Sequence, residues 1–268
     1  MQSIICFTSD FGMSDTWVGV CHAVIYRACP QARVVDLAHD IQPYDIRKAA
    51  AVAASGVLQL PEAIHLVVVD PGVGGGRRDL CLVTTQGTVL VGPDNGVLIP
   101  ATWRAGGIAE AYVIEPQALT FRAPLATFHA RDVLAPAAAA LACGVEPGAV
   151  GASVDSRSLV EAPFPRCYPE DGQLVAEVVD IDRFGSIRLA VLLEDLDGLR
   201  GSEGVIEIDF ENTRFEVPLR ATFSDVAEGE SVALFDSSGW LTIAVRMGSA
   251  AERYGAGPGG IARVHVCI

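Results

Sequence analysis

The stretch "IHLVVVDPGVGGGRRD", residues 64–79, decides how the chain is read. Its first half is apolar from Ile64 to Val69, as expected of a strand covered on both faces in a parallel sheet. The run stops at Asp70 and Pro71, and a glycine-rich loop follows. A phosphate-binding P-loop carries Lys-Ser or Lys-Thr after its last glycine, and a dinucleotide loop opens a helix with G-x-G-x-x-G. Neither fits, because Gly76 is followed by Arg77, Arg78 and Asp79 and then by another strand-like run. An ionised Asp70 would also repel phosphate. In open α/β sheets, ligands sit beyond the carboxyl ends of the strands. Asp70 therefore either faces a ligand or caps a tight turn, and the stretch alone leaves both open.

Around it, strand-like and helix-like segments alternate. "SIICFTS" (3–9) and "ARVVDL" (32–37) read as strands, with a helix between them from about Thr16 to Ala28 that Asp15 is placed to cap. Asp45 opens an Ala-rich helix that ends before Pro61. "LCLVTT" and "TVLVG" flank Gln86-Gly87 as a hairpin, "PDNG" (93–96) is a turn, and "EAYVIE" (110–115) is a strand. An Ala-rich helix spans about Ala130 to Ala142, and Pro136 kinks it unless the helix starts late. This order predicts an α/β domain with a mostly parallel sheet over residues 1–160. Prolines in "EAPFPRCYPEDG" suggest a linker over 161–172. Residues 173–268 hold seven short strand-like runs, read as a small all-β barrel or sandwich.

Composition narrows the function. The chain has 268 residues, 50% of them hydrophobic, but no apolar run long enough to cross a bilayer. Its N-terminus lacks a basic region with a cleavage site, so no signal peptide is expected. Seven cysteines include no C-x-x-C pair, which points to a reduced, cytoplasmic setting. Asp and Glu outnumber Lys and Arg by 33 to 19, a net charge of −14. That disfavours nucleic acid and suits a cationic small ligand.

Asp10 ends the first strand much as Asp70 ends the third, and it serves either a ligand's hydroxyls or a turn. His39 and Asp40 follow the second strand. The set Asp10, His39, Asp70 and His129 shows no metal-ligand spacing, so no metal is expected. His22, His65 and His265 sit in apolar segments and read as packed imidazoles. His129, at a loop end before a helix, either handles a proton or caps.

The motifs "TSDFG", "DPGVG" followed by Arg77, "GPDNG", "TFHARD" and "DRFG" occur in that order. On them the chain resembles the S-adenosyl-L-methionine hydroxide adenosyltransferases, relatives of the fluorinases and chlorinases, over essentially its whole length. The resemblance implies hydrolysis of S-adenosyl-L-methionine to adenosine and L-methionine, with no cofactor. It implies a catalytic trio of Asp70, Arg77 and His129, and a homotrimer with the ligand at the subunit interface. It assigns substrate binding to Asp10 (ribose), Tyr44 and Phe128 (adenosyl group), and Asp182 and Ser237 (methionine amino group). Phe184 of the "DRFG" motif and Ser186 just after it join that set, although Ser186 stands where relatives carry an adenine-binding asparagine. The halogenating branch carries Tyr-Ser where this chain has His129-Ala130, and it lacks Asp70 and Arg77. Water is thus the better-matched nucleophile. The readings weighed against hydrolysis are a halide-using transferase, a non-catalytic nucleoside binder and a metal hydrolase.

Overall fold

The computed structural model describes residues 4–119, 125, 127–196, 204–210 and 213–267. Ser3 and Ile268, at the ends of two expected strands, lie outside the described residues. The chain divides into two compact units at Pro163/Phe164.

The first unit carries β1 (Ile4–Ser9), α1 (Trp17–Ala28), β2 (Arg33–Ala38), α2 (Ile46–Gln59) and β3 (Ile64–Val68). The hairpin β4 (Asp79–Thr84) and β5 (Val89–Pro93) follows, then α3 (Ile99–Trp103), β6 (Ile108–Val113), α4 (Pro116–Leu119) and α5 (Ala135–Ala142). The sheet order is β2-β1-β3-β5-β4-β6. The pairs β1–β2, β1–β3 and β3–β5 are parallel, while β4 runs antiparallel to β5 and β6. Ile5 and Phe7 of β1 and Leu66 and Val68 of β3 pack with α1 and α5 residues in one buried cluster. The alternate position His65 faces α2, where it lies against Gly56. Strand alternation thus gives the sheet two covered faces. Burial pushes the His65 pKa down, against a hydrogen bond from its ring to the Leu60 carbonyl (3.0 Å).

Asp45 caps α2, its side chain accepting from the Lys48 amide at 2.9 Å. Asp15 does not cap α1. The N-cap is Thr16, and no side chain accepts a hydrogen bond there. The expected kink at Pro136 takes a different form. Ala130–Leu134 form a π turn, in which the Ala135 amide reaches back five residues to the Ala130 carbonyl. Pro136 then falls in the first turn of α5, where its missing N–H costs nothing.

The second unit contains β7 (Tyr168–Glu170), β8 (Gln173–Ile181), β9 (Ile187–Leu192), β10 (Val205–Phe210), β11 (Thr213–Pro218), β12 (Ser231–Phe235), β13 (Trp240–Val245), the short α6 (Ala250–Tyr254) and β14 (Ile261–Cys267). All seven expected runs are strands, and β7 is an eighth. The order β11-β10-β14-β8-β9-β13-β12 is antiparallel throughout, with β7 beside β8. A bridge from Leu219 to Ala233 brings the two ends of that order together, so the sheet curls into a nearly closed barrel.

Two substitutions test this scaffold. Gly96, in the turn after β5, has φ +88, and a Cβ there would lie 2.0 Å from the Glu161 carbonyl oxygen. Gly96→Ala should lower stability by about 2–3 kcal/mol in urea unfolding. Asp45→Ala, which only removes a cap, should cost about 1 kcal/mol in the same measurement. Equal effects would contradict the close backbone approach at Gly96.

Candidate active site

Strand β1 has β2 on one side and β3 on the other, so the direction of winding reverses between β1 and β3. A crevice forms at such a switch point, outside the carboxyl ends of the strands. Asp10 directly follows β1 and Asp70 lies two residues beyond β3. Both line a cleft of about 310 Å³, together with Phe11, Trp17, Tyr44, Val73, Phe128 and His129.

The glycine-rich loop answers the question its sequence left open. Two successive turns, Val73 amide to Asp70 carbonyl (3.2 Å) and Gly75 amide to Gly72 carbonyl (3.0 Å), reverse the chain. Gly74 takes φ +75, which a side-chain-bearing residue rarely adopts. The reversal lays Arg77 back onto Asp70. Arg77 Nε donates to Asp70 Oδ1 at 2.9 Å, and Nη2 donates to Asp70 Oδ2, a two-pronged grip. The same Nη2 lies 3.1 Å from His129 Nδ1. Asp70, Arg77 and His129, 59 positions apart from first to last, are thus in one cluster. Asp70 and His129 line the cleft, whereas Arg77 is not among its lining residues and contacts both.

Burial works to lower the Arg77 pKa. Hydrogen bonds and charge from Asp70 and Asp79 outweigh it and hold the guanidinium above its ordinary range. Arg78 is committed elsewhere. It pairs with Asp94 and donates to the Ser158 hydroxyl (3.0 Å) and carbonyl (2.6 Å), tying the loop to a neighbouring segment.

Asp10 is held by the backbone of the residue expected beside the ligand. The Tyr44 amide donates to Asp10 Oδ2 at 2.8 Å. Tyr44 adopts φ +71, a strained conformation for a tyrosine, and its side chain is 71% exposed at the cleft. Behind Asp10, the buried His39 bridges the Ser9 hydroxyl (2.7 Å) and Asp36 (3.0 Å), and its carbonyl accepts the Gly12 amide (2.7 Å). His39 is therefore a brace for the end of β1. His22 also meets Asp36, at 2.9 Å. Among the described residues, no group of three or more His, Cys, Asp or Glu side chains is arranged to hold a metal.

Sequence reasoning missed Phe11 and Trp17, whose rings stack edge-on at 5.7 Å, with Phe11 also edge-on to Phe128 at 6.0 Å. An aromatic one residue past Asp10 was their only signal. It also missed Asp79, the buried first residue of β4, which touches both Arg77 and His129. A charge opening the otherwise apolar run "DLCLVT" was the clue.

In the second unit, Asp182 Oδ1 accepts the amides of Phe184 and Ser186, both at 2.8 Å. This shapes the "DRFG" turn, leaving Phe184 80% exposed and Ser186 buried. Asp236, next to Ser237, accepts the Ser238 amide through Oδ1 (2.8 Å) and Arg188 Nε through Oδ2 (2.6 Å). Arg188 also reaches Asp180 at 3.2 Å, so one half-buried cation ties the strand ends beside Asp182 and Ser237 together. Arg188, in the run "SIRLAVL", had no sequence signal beyond a charge inside a strand.

Comparison with known proteins gives this geometry a context. Residues 5–151 match the SAM hydroxide adenosyltransferase N-terminal domain, and residues 176–263 match the C-terminal domain of the same family. The chain is 41% identical to the (R)-S-adenosyl-L-methionine hydrolase of Salinispora tropica, over 97% of each chain. It is 38% identical to the Thermus thermophilus protein of the same name, over 94% of this chain and 95% of that one. A fluorinase from Nocardia brasiliensis is more distant, at 28% identity. An uncharacterized conserved protein from Thermotoga maritima superposes with a TM-score of 0.88 at 32% identity, covering 97% of this chain and 99% of that one. The chain belongs to the SAM hydroxide adenosyltransferase family.

Proposed function

We propose that this protein hydrolyses S-adenosyl-L-methionine to adenosine and L-methionine. The observation that carries the reading is the convergence of Asp70 and His129, through Arg77, on the wall of the cleft at the β1/β3 switch point. The names of these relatives specify the (R) configuration at sulfur, and we extend that choice of epimer to this chain.

The chemistry is an in-line displacement at the ribose C5′. The C5′–S bond breaks and its electron pair stays on sulfur, giving the neutral thioether of methionine. A water oxygen forms the new C5′–O bond and gives its proton to the Asp70–His129 pair. A sulfonium leaves readily, so the protein's work lies in aligning water and drawing off its proton. Fixed acceptors on one side of a water supply both, with proton transfer worth about 10²–10⁴-fold. Asp10 accepts the ribose hydroxyls, and Tyr44 and Phe128 cover the adenosyl group. Asp182, Phe184, Ser186 and Ser237 serve the adenine and methionine ends. A carboxylate at the reacting centre repels halide, which favours water over the fluorinase nucleophile. No cofactor or metal takes part.

The working assembly is a homotrimer in the cytoplasm, with the substrate held between subunits. Large apolar side chains left exposed, Trp17 and Tyr44 on the first unit and Phe184 and Met247 on the second, support an association that covers them. No helix among the described residues is long and apolar enough to cross a membrane.

Four measurements check this reading. In oxygen-18 water with excess chelator, the protein should release adenosine labelled at the 5′ oxygen from the (R) epimer. Unlabelled adenosine, or a chloride-dependent 5′-chloro product, would overturn it. His129→Ala and Asp70→Ala should each cut turnover at least about 100-fold. Asp10→Ala should act mainly by weakening substrate binding. Light scattering should give three times the 28.2 kDa chain mass, and a monomer would remove the interfacial site.

A further inference from the structure

Outside the trio, one buried titratable group reaches into the same cluster. Asp79 is 7% exposed and opens β4, where its backbone is fixed on both sides. It pairs with Pro93 across the hairpin, and its carbonyl accepts the Ile114 amide at 2.8 Å. One carboxylate oxygen, Oδ1, accepts from Arg77 Nη1 at 2.5 Å. The other, Oδ2, lies 2.8 Å from His129 Nδ1.

His129 Nδ1 is therefore within hydrogen-bond distance of two groups with opposite demands. Arg77 Nη2, at 3.1 Å, can only donate to it, and Asp79 Oδ2 can only accept from it. In a neutral imidazole a ring nitrogen either carries the proton or accepts one, never both. Two facts decide the matter. The contact to Asp79 is the shorter one. Asp70 and Asp79 also flank a single guanidinium, so the cluster has one negative charge left over, and a donor facing Asp79 answers it. A bare lone pair at 2.8 Å from a carboxylate oxygen would repel it instead. The proton consequently sits on Nδ1, and Nε2 is left with its lone pair.

We propose that Asp79 is a positioning residue that fixes His129 in the Nδ1–H tautomer, so that Nε2 is the atom that takes up the attacking water. The inference rests on the hydrolysis proposed above and adds a fourth member to its machinery. Asp79 also orients Arg77 by holding the Nη1 that Asp70 does not use.

Asp79→Asn tests the role with little change of shape. Its carboxamide oxygen stays with Arg77, which has only protons to offer. Its NH₂ then faces Nδ1 and turns that nitrogen into an acceptor, which moves the imidazole proton to Nε2. We expect kcat to fall by about 10²–10⁴-fold with KM within about threefold, the pattern of an interaction used only in the transition state. Nitrogen-15 spectra of the imidazoles, with His129 identified by its loss in His129→Gln, should show the neutral ring protonated at Nδ1 in the wild type and at Nε2 in Asp79→Asn. A merely structural Asp79 would not move the proton between nitrogens. Unchanged kcat in Asp79→Asn, or an Nε2-protonated His129 in the wild type, overturns the proposal. If the variant does not fold, the wild-type spectrum still decides. A wild type that releases no adenosine refutes the hydrolysis instead and leaves the tautomer as a separate result.

Discussion

One guanidinium holds the site together. Arg77 grips Asp70 with two nitrogens, reaches Asp79 with a third and lies against His129. Burying such a cluster gains little stability, because desolvation offsets most of the attraction between the charges. Removing the cation, however, would leave two buried carboxylates without the positive charge they share. The arrangement is therefore best understood as a means of fixing geometry. It locks Asp70 directly and His129 by way of Asp79, while staying out of the cleft itself.

The fold supplies what the guanidinium needs. Parallel β1 and β3 deliver Asp10 and Asp70 to the same edge, and the reversal of winding between them opens the crevice. The glycine loop after Asp70 is a device for chain reversal. Its two turns return Arg77 to the strand end it has just left. The π turn that begins at Ala130 follows His129 directly, so the ring is set on a helix start packed against α1. The strained Tyr44 gives up a favourable backbone conformation and in return its amide fixes Asp10.

Much of this was legible in the residues. Apolar runs with turn residues between them marked nearly every strand, because a strand buried on both faces has little choice of side chain. The trio and Asp10 were reachable through the ends of strands and the family resemblance. What stayed hidden depends on partners distant in sequence. Asp15 looks like a cap, but Thr16 holds the N-cap position without any side-chain bond. Arg77 and Arg78 are adjacent and chemically alike, and only tertiary contacts show that Arg78 is a strut to Ser158. Asp79 and Arg188 are charges within strands, a pattern that by itself does not separate a solvated position from one clamped between partners.

The central claim is that one water is held by Asp70 and His129 behind the carbon that carries sulfur. A crystal structure with an unreactive, carbon-for-sulfur analogue of S-adenosyl-L-methionine tests it most directly. The account predicts a single ordered water within hydrogen-bond distance of the Asp70 carboxylate and His129 Nε2, on the side of C5′ opposite the leaving atom. An analogue bound with C5′ turned away from both side chains, or with no room for a water between them, would contradict it.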